Sequence, residues 1–99
     1  MVVNTKLPNH SVYQLKGDVY VQEAAALRQE LLQRIEEGSR EIVLDVSGVT
    51  FLDSAGLGVM VTVHKRLRAV GGHFIIQGVK GSVLELFQTA RLHRVFQIR

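Results

Sequence analysis

The residues with the clearest potential for chemistry are Asp53 and Ser54, which precede the small-residue run Ala55-Gly56-Leu57-Gly58. Aspartate and serine are both favoured N-cap residues, so this pair predicts a serine hydroxyl at a positively polarised helix N-terminus. The two glycines are costly, since each destabilises a helix interior by about 1 kcal/mol relative to alanine. One interpretation is capping plus close packing; the other is an exposed recognition surface that another protein's backbone can approach.

Enzymatic interpretations of Ser54 find little support in the surrounding sequence. A nucleophile elbow requires Gly-x-Ser-x-Gly, whereas Ser54 follows Leu52-Asp53 and precedes Ala55-Gly56. None of the four histidines has a spacing that suggests a general base for Ser54. The segment 78–82 lacks the full spacing of a phosphate-binding loop and is better explained as a turn into a capped helix. We therefore predict no catalytic residue and no intrinsic catalysis.

Composition argues against several other classes of function. The histidines show no close pairing of metal-ligand type and the chain has no cysteine, so we predict neither a metal site nor a cofactor. The absence of cysteine also fits a reducing cytoplasm. The net charge of +3 is not arranged as a basic stripe with interleaved aromatics, which disfavours direct nucleic-acid binding. No apolar run approaches the roughly 18 residues of a membrane span.

The element that must position Ser54 is the apolar run Ile42–Val46, which predicts a strand buried on both faces in the interior of a sheet. Ser47-Gly48 is expected to break this strand, so that a short loop leads to Asp53. A helix is then expected from Asp53 to about Val70, ended by Gly71-Gly72.

The rest of the chain alternates in the same way. Before the central strand we expect an edge strand at Val2-Val3 that Pro8 keeps short, a strand through Tyr13 and Leu15, and a turn at Gly17-Asp18. Val19 and Val21 then begin either a second short strand or the lead into a helix. That helix carries apolar residues at helical spacing and ends at Gly38: Ala24, Leu27, Leu31 and Ile35.

After the central unit, residues 73–79 predict another buried strand, and Ser82 with Glu85 predicts a capping box that opens a short helix. Residues 95–98 are expected to add a last strand. This alternation indicates βαβ units. We therefore predict one α/β domain over residues 1–99, with a mixed, mostly parallel sheet of four to five strands and three to four helices.

The sequence resembles the sulphate transporter and anti-sigma factor antagonist (STAS) domain family. The run Val49–Gly58 is similar to the signature of its anti-sigma factor antagonists, and the similarity covers nearly the whole chain. The other segments that carry it match the family's first hairpin, central strand, glycine pair and closing segment: Leu15–Val19, Ile42–Val46, Gly71-Gly72, and Leu86-Phe87 with Leu92 and Val95-Phe96.

The resemblance implies a partner-switching regulator. An unmodified antagonist binds an anti-sigma factor that is also a serine kinase, which frees a sigma factor for stress-response or sporulation genes. Phosphorylation of Ser54 would weaken the complex, and a serine phosphatase would restore it. The resemblance assigns partner binding to two segments: Tyr20 and Val21, and Asp53, Ser54, Ala55, Gly56, Leu57 and Gly58.

One residue departs from the family pattern. Tyr20 stands where the family usually has an acidic residue, at an end of the sheet expected to lie near Ser54, so this chain's choice of partner is open. The alternative function within the family is a subunit of a membrane transport assembly or a scaffold of a stress-sensing particle, in which Ser54 need not be phosphorylated. A weak homodimer is also open.

Overall fold

The fold is a five-stranded sheet in which the strands follow one another in chain order, β1-β2-β3-β4-β5. The computed structural model describes residues 2–7 and 10–99, with side chains from residue 11 onward. Strand β1 is antiparallel to β2, and the other neighbouring pairs are parallel. The elements are β1 (Val2–Leu7), β2 (His10–Val19), α1 (Val21–Glu36), β3 (Glu41–Leu52), α2 (Ser54–Ala69), β4 (His73–Gln77), α3 (Gly81–Thr89), a short 3₁₀ turn (Leu92–Arg94) and β5 (Gln97–Ile98).

The three α-helices pack on one face of this sheet. Parallel strands in sequential order, joined by right-handed crossovers, place every connecting helix on the same side. The buried residues of all three helices accordingly form one cluster with alternate residues of the strands, among them Ile42, Leu44 and Ile76. The α/β class, the mixed and mostly parallel sheet and the helix number predicted from the sequence are all confirmed.

Strand β3 is the centre of the sheet, as the apolar run predicted. It pairs with β2 on one side and β4 on the other, and Val43 and Leu44 are almost fully buried. Because neighbouring residues of a strand point to opposite faces, this burial covers both faces of the sheet. The predicted interior position of Ile42–Val46 is confirmed.

The expectation that Ser47-Gly48 breaks this strand is wrong. Strand β3 continues to Leu52, and its pairing with β2 shifts by one residue near Ser47 and again near Thr50. Such bulges keep a strand paired while bending it and increasing its twist. The backbone N–H of Ser47 donates to Asp45 at 2.9 Å, and this hydrogen bond holds the pKa of the Asp45 carboxyl below its ordinary value.

The predicted turn at Gly17-Asp18 is also wrong. Both residues lie within β2 and pair with β3, and Gly17 has a φ of +77° beside the second register shift. A glycine in this left-handed region lets the strand bend without ending. Of the two alternatives for Val19 and Val21, the lead into a helix is correct, because Val19 ends β2 and Val21 begins α1.

The remaining predictions agree in outline. Helix α2 begins after Asp53 and ends before Val70, and β1 forms the predicted edge strand, although Pro8 lies outside the described residues.

Helix α3 begins at Gly81 after Lys80, which makes no side-chain cap, so the capping box expected at Ser82 is not formed. The last strand is confirmed but short.

Replacing Gly72 with alanine should destabilise the fold. A Cβ at this position would overlap the carbonyl oxygen of Arg40 and lie 2.9 Å from Cδ2 of Leu67. The same oxygen accepts the N–H of His73 at 2.8 Å. The added Cβ would therefore disturb a backbone hydrogen bond that joins β4 to the residue before β3. We expect a loss of about 1–3 kcal/mol, which is typical of overpacking, measured by urea unfolding.

Gly58→Ala is the matched control for this prediction. Gly58 lies in α2 with nothing within 4 Å of an added Cβ, so alanine should stabilise the chain by up to about 1 kcal/mol. Equal stability of the two variants would contradict the packing argument.

Candidate functional site

The candidate site lies where β2 and β3 end side by side. Val19 and Leu52 are register partners at the ends of these two strands. One residue separates each strand from its helix, Tyr20 before α1 and Asp53 before α2. The N-termini of two helices therefore open at the same edge of the sheet. This pairing brings together the two segments, Tyr20-Val21 and 53–58, that the sequence singled out separately.

Asp53 is the N-cap of α2. Its backbone is extended, and its Oδ1 accepts the N–H groups of Ala55 at 3.0 Å and Gly56 at 3.2 Å. The first intrahelical bond runs from the N–H of Leu57 to the Asp53 carbonyl. The aspartate therefore satisfies two of the backbone donors that a helix leaves open at its start.

Ser54 is the first residue of the helix rather than its cap. The residue is exposed, and its hydroxyl makes no hydrogen bond within the part of the chain that the structure describes. No histidine therefore contacts this hydroxyl as a base in the described residues. A free hydroxyl on a helix tip is accessible to a modifying enzyme, and its loss should cost the fold little.

The two glycines that follow have different roles. Gly56 is buried, and a Cβ there would overlap Cδ1 of Leu52 and lie 3.4 Å from Cγ1 of Val19, so its missing side chain serves close packing. Gly58 is exposed and one helical turn from Ser54, which places both on the same face of α2. Ala55 and Leu57 are partly buried against the core. Close packing thus explains Gly56 but not Gly58.

An exposed aromatic pair flanks this helix tip. Tyr20 is 51% exposed and Phe51 is 43% exposed, and their ring centroids lie 5.2 Å apart. Val21 beside them is 66% exposed. Large apolar side chains grouped on a surface next to an accessible hydroxyl are typical of a protein interaction site.

Sequence reasoning did not single out Phe51, whose apolar neighbour Leu52 it resembles in composition. Strand alternation could have separated them, because consecutive residues in β3 point to opposite faces and only Leu52 is buried. It also missed the contact beneath the aromatic pair, where Thr50 Oγ1 donates to Asp18 at 2.6 Å. That contact joins β2 and β3 just before the site.

Removing the cap should have a measurable effect that removing the neighbouring hydroxyl does not. Asp53→Ala leaves two helix N–H groups without their acceptor and should cost about 1 kcal/mol of folding free energy. Ser54→Ala should change the folding free energy by only a few tenths of the loss expected for Asp53→Ala. Chemical denaturation of both variants tests the assignment, and a larger loss in Ser54→Ala would reverse it.

Comparison with known proteins agrees with this architecture. The model of the STAS domain family matches residues 1–99. The chain is 33% identical over 84 residues to BtrV of Bordetella bronchiseptica, named as an anti-sigma factor antagonist, covering 85% of this chain and 72% of that protein. It is 27% identical to the anti-sigma-B factor antagonist of Bacillus subtilis, covering 85% and 76%.

Among solved structures, SpoIIAA of Bacillus in its phosphorylated form superposes with a TM-score of 0.82 at 20% identity, covering 100% of this chain and 91% of that one. The fold and its paired helix tips are thus those of a STAS domain. The chain belongs to the STAS domain family, and to the anti-sigma factor antagonists within it.

Proposed function

We propose that this protein is the antagonist component of a partner switch. In its unphosphorylated form it binds an anti-sigma factor with serine kinase activity and so releases a sigma factor. Phosphorylation of Ser54 ends binding, and a serine phosphatase restores it. The observation that carries the proposal is the exposed, unbonded hydroxyl of Ser54 at the tip of α2, beside the exposed pair of Tyr20 and Phe51.

Local electrostatics favour a switch that acts at the surface. Phosphate adds about −1.5 to −2 charges, which the helix dipole at Ser54 attracts. The carboxylate of Asp53 already occupies the N–H groups of Ala55 and Gly56, and it repels a neighbouring phosphate. Because the attraction by the dipole and the repulsion by Asp53 oppose each other at an exposed residue, the domain should stay folded. A partner surface facing Ser54 would meet a strongly hydrated dianion, whose burial costs several kcal/mol.

The shape of the site fits a close-packed partner. Gly58 has no side chain and nothing within 4 Å of where a Cβ would stand, so a partner's backbone could approach this turn of α2. Tyr20, Val21 and Phe51 supply an apolar margin that a matching pocket could cover. The tyrosine at the family's usually acidic position supports a partner contact made by apolar burial rather than by an ion pair.

The proposal includes no catalytic activity and no cofactor for the chain itself, and it places the protein in the cytoplasm without direct contact to nucleic acid. No helix in the described part of the chain is long and apolar enough to cross a membrane. In the same residues, no group of three or more histidine, aspartate or glutamate side chains is placed to hold a metal ion.

The decisive experiment is incubation of the protein with candidate anti-sigma kinases and ATP, followed by mass spectrometry of the intact chain and its peptides. We expect one phosphate, located on Ser54, and none on the Ser54→Ala variant. The exposed Ser82 at the start of α3 serves as an internal control for unselective phosphorylation. Modification at Ser82 but not at Ser54, or phosphorylation of Ser54 by none of the kinases, would contradict the proposal.

A further inference from the structure

A second candidate site lies at the opposite end of α2. A cavity of about 390 Å³ opens between the last turns of this helix and the residues that begin β4 and β5. That volume falls within the range of small-molecule sites. Fourteen residues separate Ser54 from Arg68 in the cavity wall, roughly 21 Å along a helix, so the cavity is separate from the proposed partner surface.

The cavity has an unbalanced positive charge. Its polar lining consists of Arg68, His64, His73 and Gln97, and none of the eight described residues that line it is acidic. The guanidinium of Arg68 makes no ion pair or hydrogen bond within the described part of the chain. The cavity wall therefore contains a planar guanidinium that can donate two parallel hydrogen bonds to an anion.

His64 is the other residue of α2 that lines the cavity. It lies one helical turn before Arg68, on the same face of α2. Its Nδ1 atom is buried and has no hydrogen-bond partner among the described residues. Burial, and then the nearby Arg68 cation, lower the pKa of the imidazole. An anion bound beside Arg68 would offset the effect of that cation on the pKa of His64.

The rest of the lining is apolar or lacks side chains. Val95, which is 45% exposed, supplies apolar surface, and Phe74 adds a small part because it is only 3% exposed, while Gly71 and Gly72 leave the adjoining wall without side chains. A Cβ at Gly71 would have nothing within 4 Å, so the wall is open at this residue.

We propose that this cavity binds a small organic anion, a planar ring that carries one carboxylate or phosphate group. Arg68 holds the anionic oxygens, His64 and His73 lie beside them, and Phe74 with Val95 contacts the ring. The cavity is separate from Ser54, so ligand binding there can be tested independently of the proposed partner switch.

The test is a titration of the whole chain with benzoate and with phenyl phosphate, followed by two-dimensional ¹H–¹⁵N NMR. We expect saturable shifts of the backbone amides of Gly71, Gly72 and His73, with a Kd below about 1 mM for at least one probe. The probe that binds more tightly identifies the anionic group. Benzamide, a neutral isostere of benzoate, and acetate, which lacks the ring, should each bind at least about tenfold more weakly.

Arg68→Gln and Arg66→Gln form a matched pair of variants. Both arginines are exposed on the last turns of α2, but only Arg68 lines the cavity. Arg68→Gln should weaken binding at least about tenfold, whereas Arg66→Gln should leave it within about twofold. The proposal fails if neither probe saturates, if benzamide binds as well as benzoate, or if the two variants lose affinity equally.

Discussion

Ser54→Asp should bind the anti-sigma partner at least about 100-fold more weakly than wild type while remaining folded. The expected loss in binding is roughly 3 kcal/mol, the scale of an unpaired charge buried at an interface. Folding should change by less than about 1 kcal/mol, since the dipole of α2 attracts the new carboxylate and Asp53 repels it. Titration calorimetry with the partner and a melting curve separate the two effects.

Two further variants make this result specific. Ser82→Asp introduces the same charge near the N-terminus of α3, where Ser82 is also exposed, and should leave binding unchanged. Ser54→Ala should bind like wild type, escape phosphorylation and act as a permanently active antagonist. Its stability should be close to wild type because the cap belongs to Asp53. An unfolded Ser54→Asp variant, or one with wild-type affinity, would rule out the surface mechanism.

Tyr20→Ala should weaken partner binding by about 2 kcal/mol, or roughly 30-fold, the size expected of an aromatic hot spot. The side chain is half exposed, so its removal opens no core cavity. The start of α1 should also survive, because the contact there joins the backbone N–H of Tyr20 to Glu23 Oε1 at 2.9 Å, and alanine keeps that N–H. Surface plasmon resonance measures the affinity, and circular dichroism checks the fold.

Val70→Ala provides the control for this prediction. Val70 is 43% exposed, which resembles Tyr20 and Phe51, but it follows the other end of α2. Its truncation should leave affinity within about twofold of wild type. If Tyr20→Ala and Val70→Ala bound equally well, the aromatic pair would not belong to the interface.

Phe51 gives a further check on the same surface. Its ring contacts that of Tyr20, so the two truncations should not be additive when they are combined. A double variant whose loss equals the sum of the single losses would indicate that the rings act separately.

Local sequence patterns predicted the order and type of most elements. The apolar run Ile42–Val46 predicted the central strand because a short, β-branched apolar run is typical of a strand covered on both faces. The amphipathic pattern that ends at Gly38 predicted α1, and the residues around Asp53 and Gly71 predicted the limits of α2. These signals are local, since the capping residues and the apolar periodicity lie within the element that they predict or directly beside it in the sequence.

Whether a turn-like residue pair ends its strand depends on the pairing of that strand in the sheet. Ser47-Gly48 and Gly17-Asp18 have the composition of turns, yet both lie inside paired strands. Pairing between β2 and β3 keeps these residues in the sheet, and two register shifts accommodate the extra residues of β3. The sequence of one strand cannot show this, because the partner strand supplies the hydrogen bonds.

Defining the candidate site required both the sequence and the tertiary structure. Sequence identified Asp53 and Ser54, but only the structure separated the cap from the exposed hydroxyl and the packing role of Gly56 from the open position of Gly58. The exposed partner of Tyr20 is Phe51, thirty-one residues away, and no local pattern connects them. The register of Val19 with Leu52 makes that connection, since it places the ends of two strands, and so the starts of two helices, at one edge of the sheet.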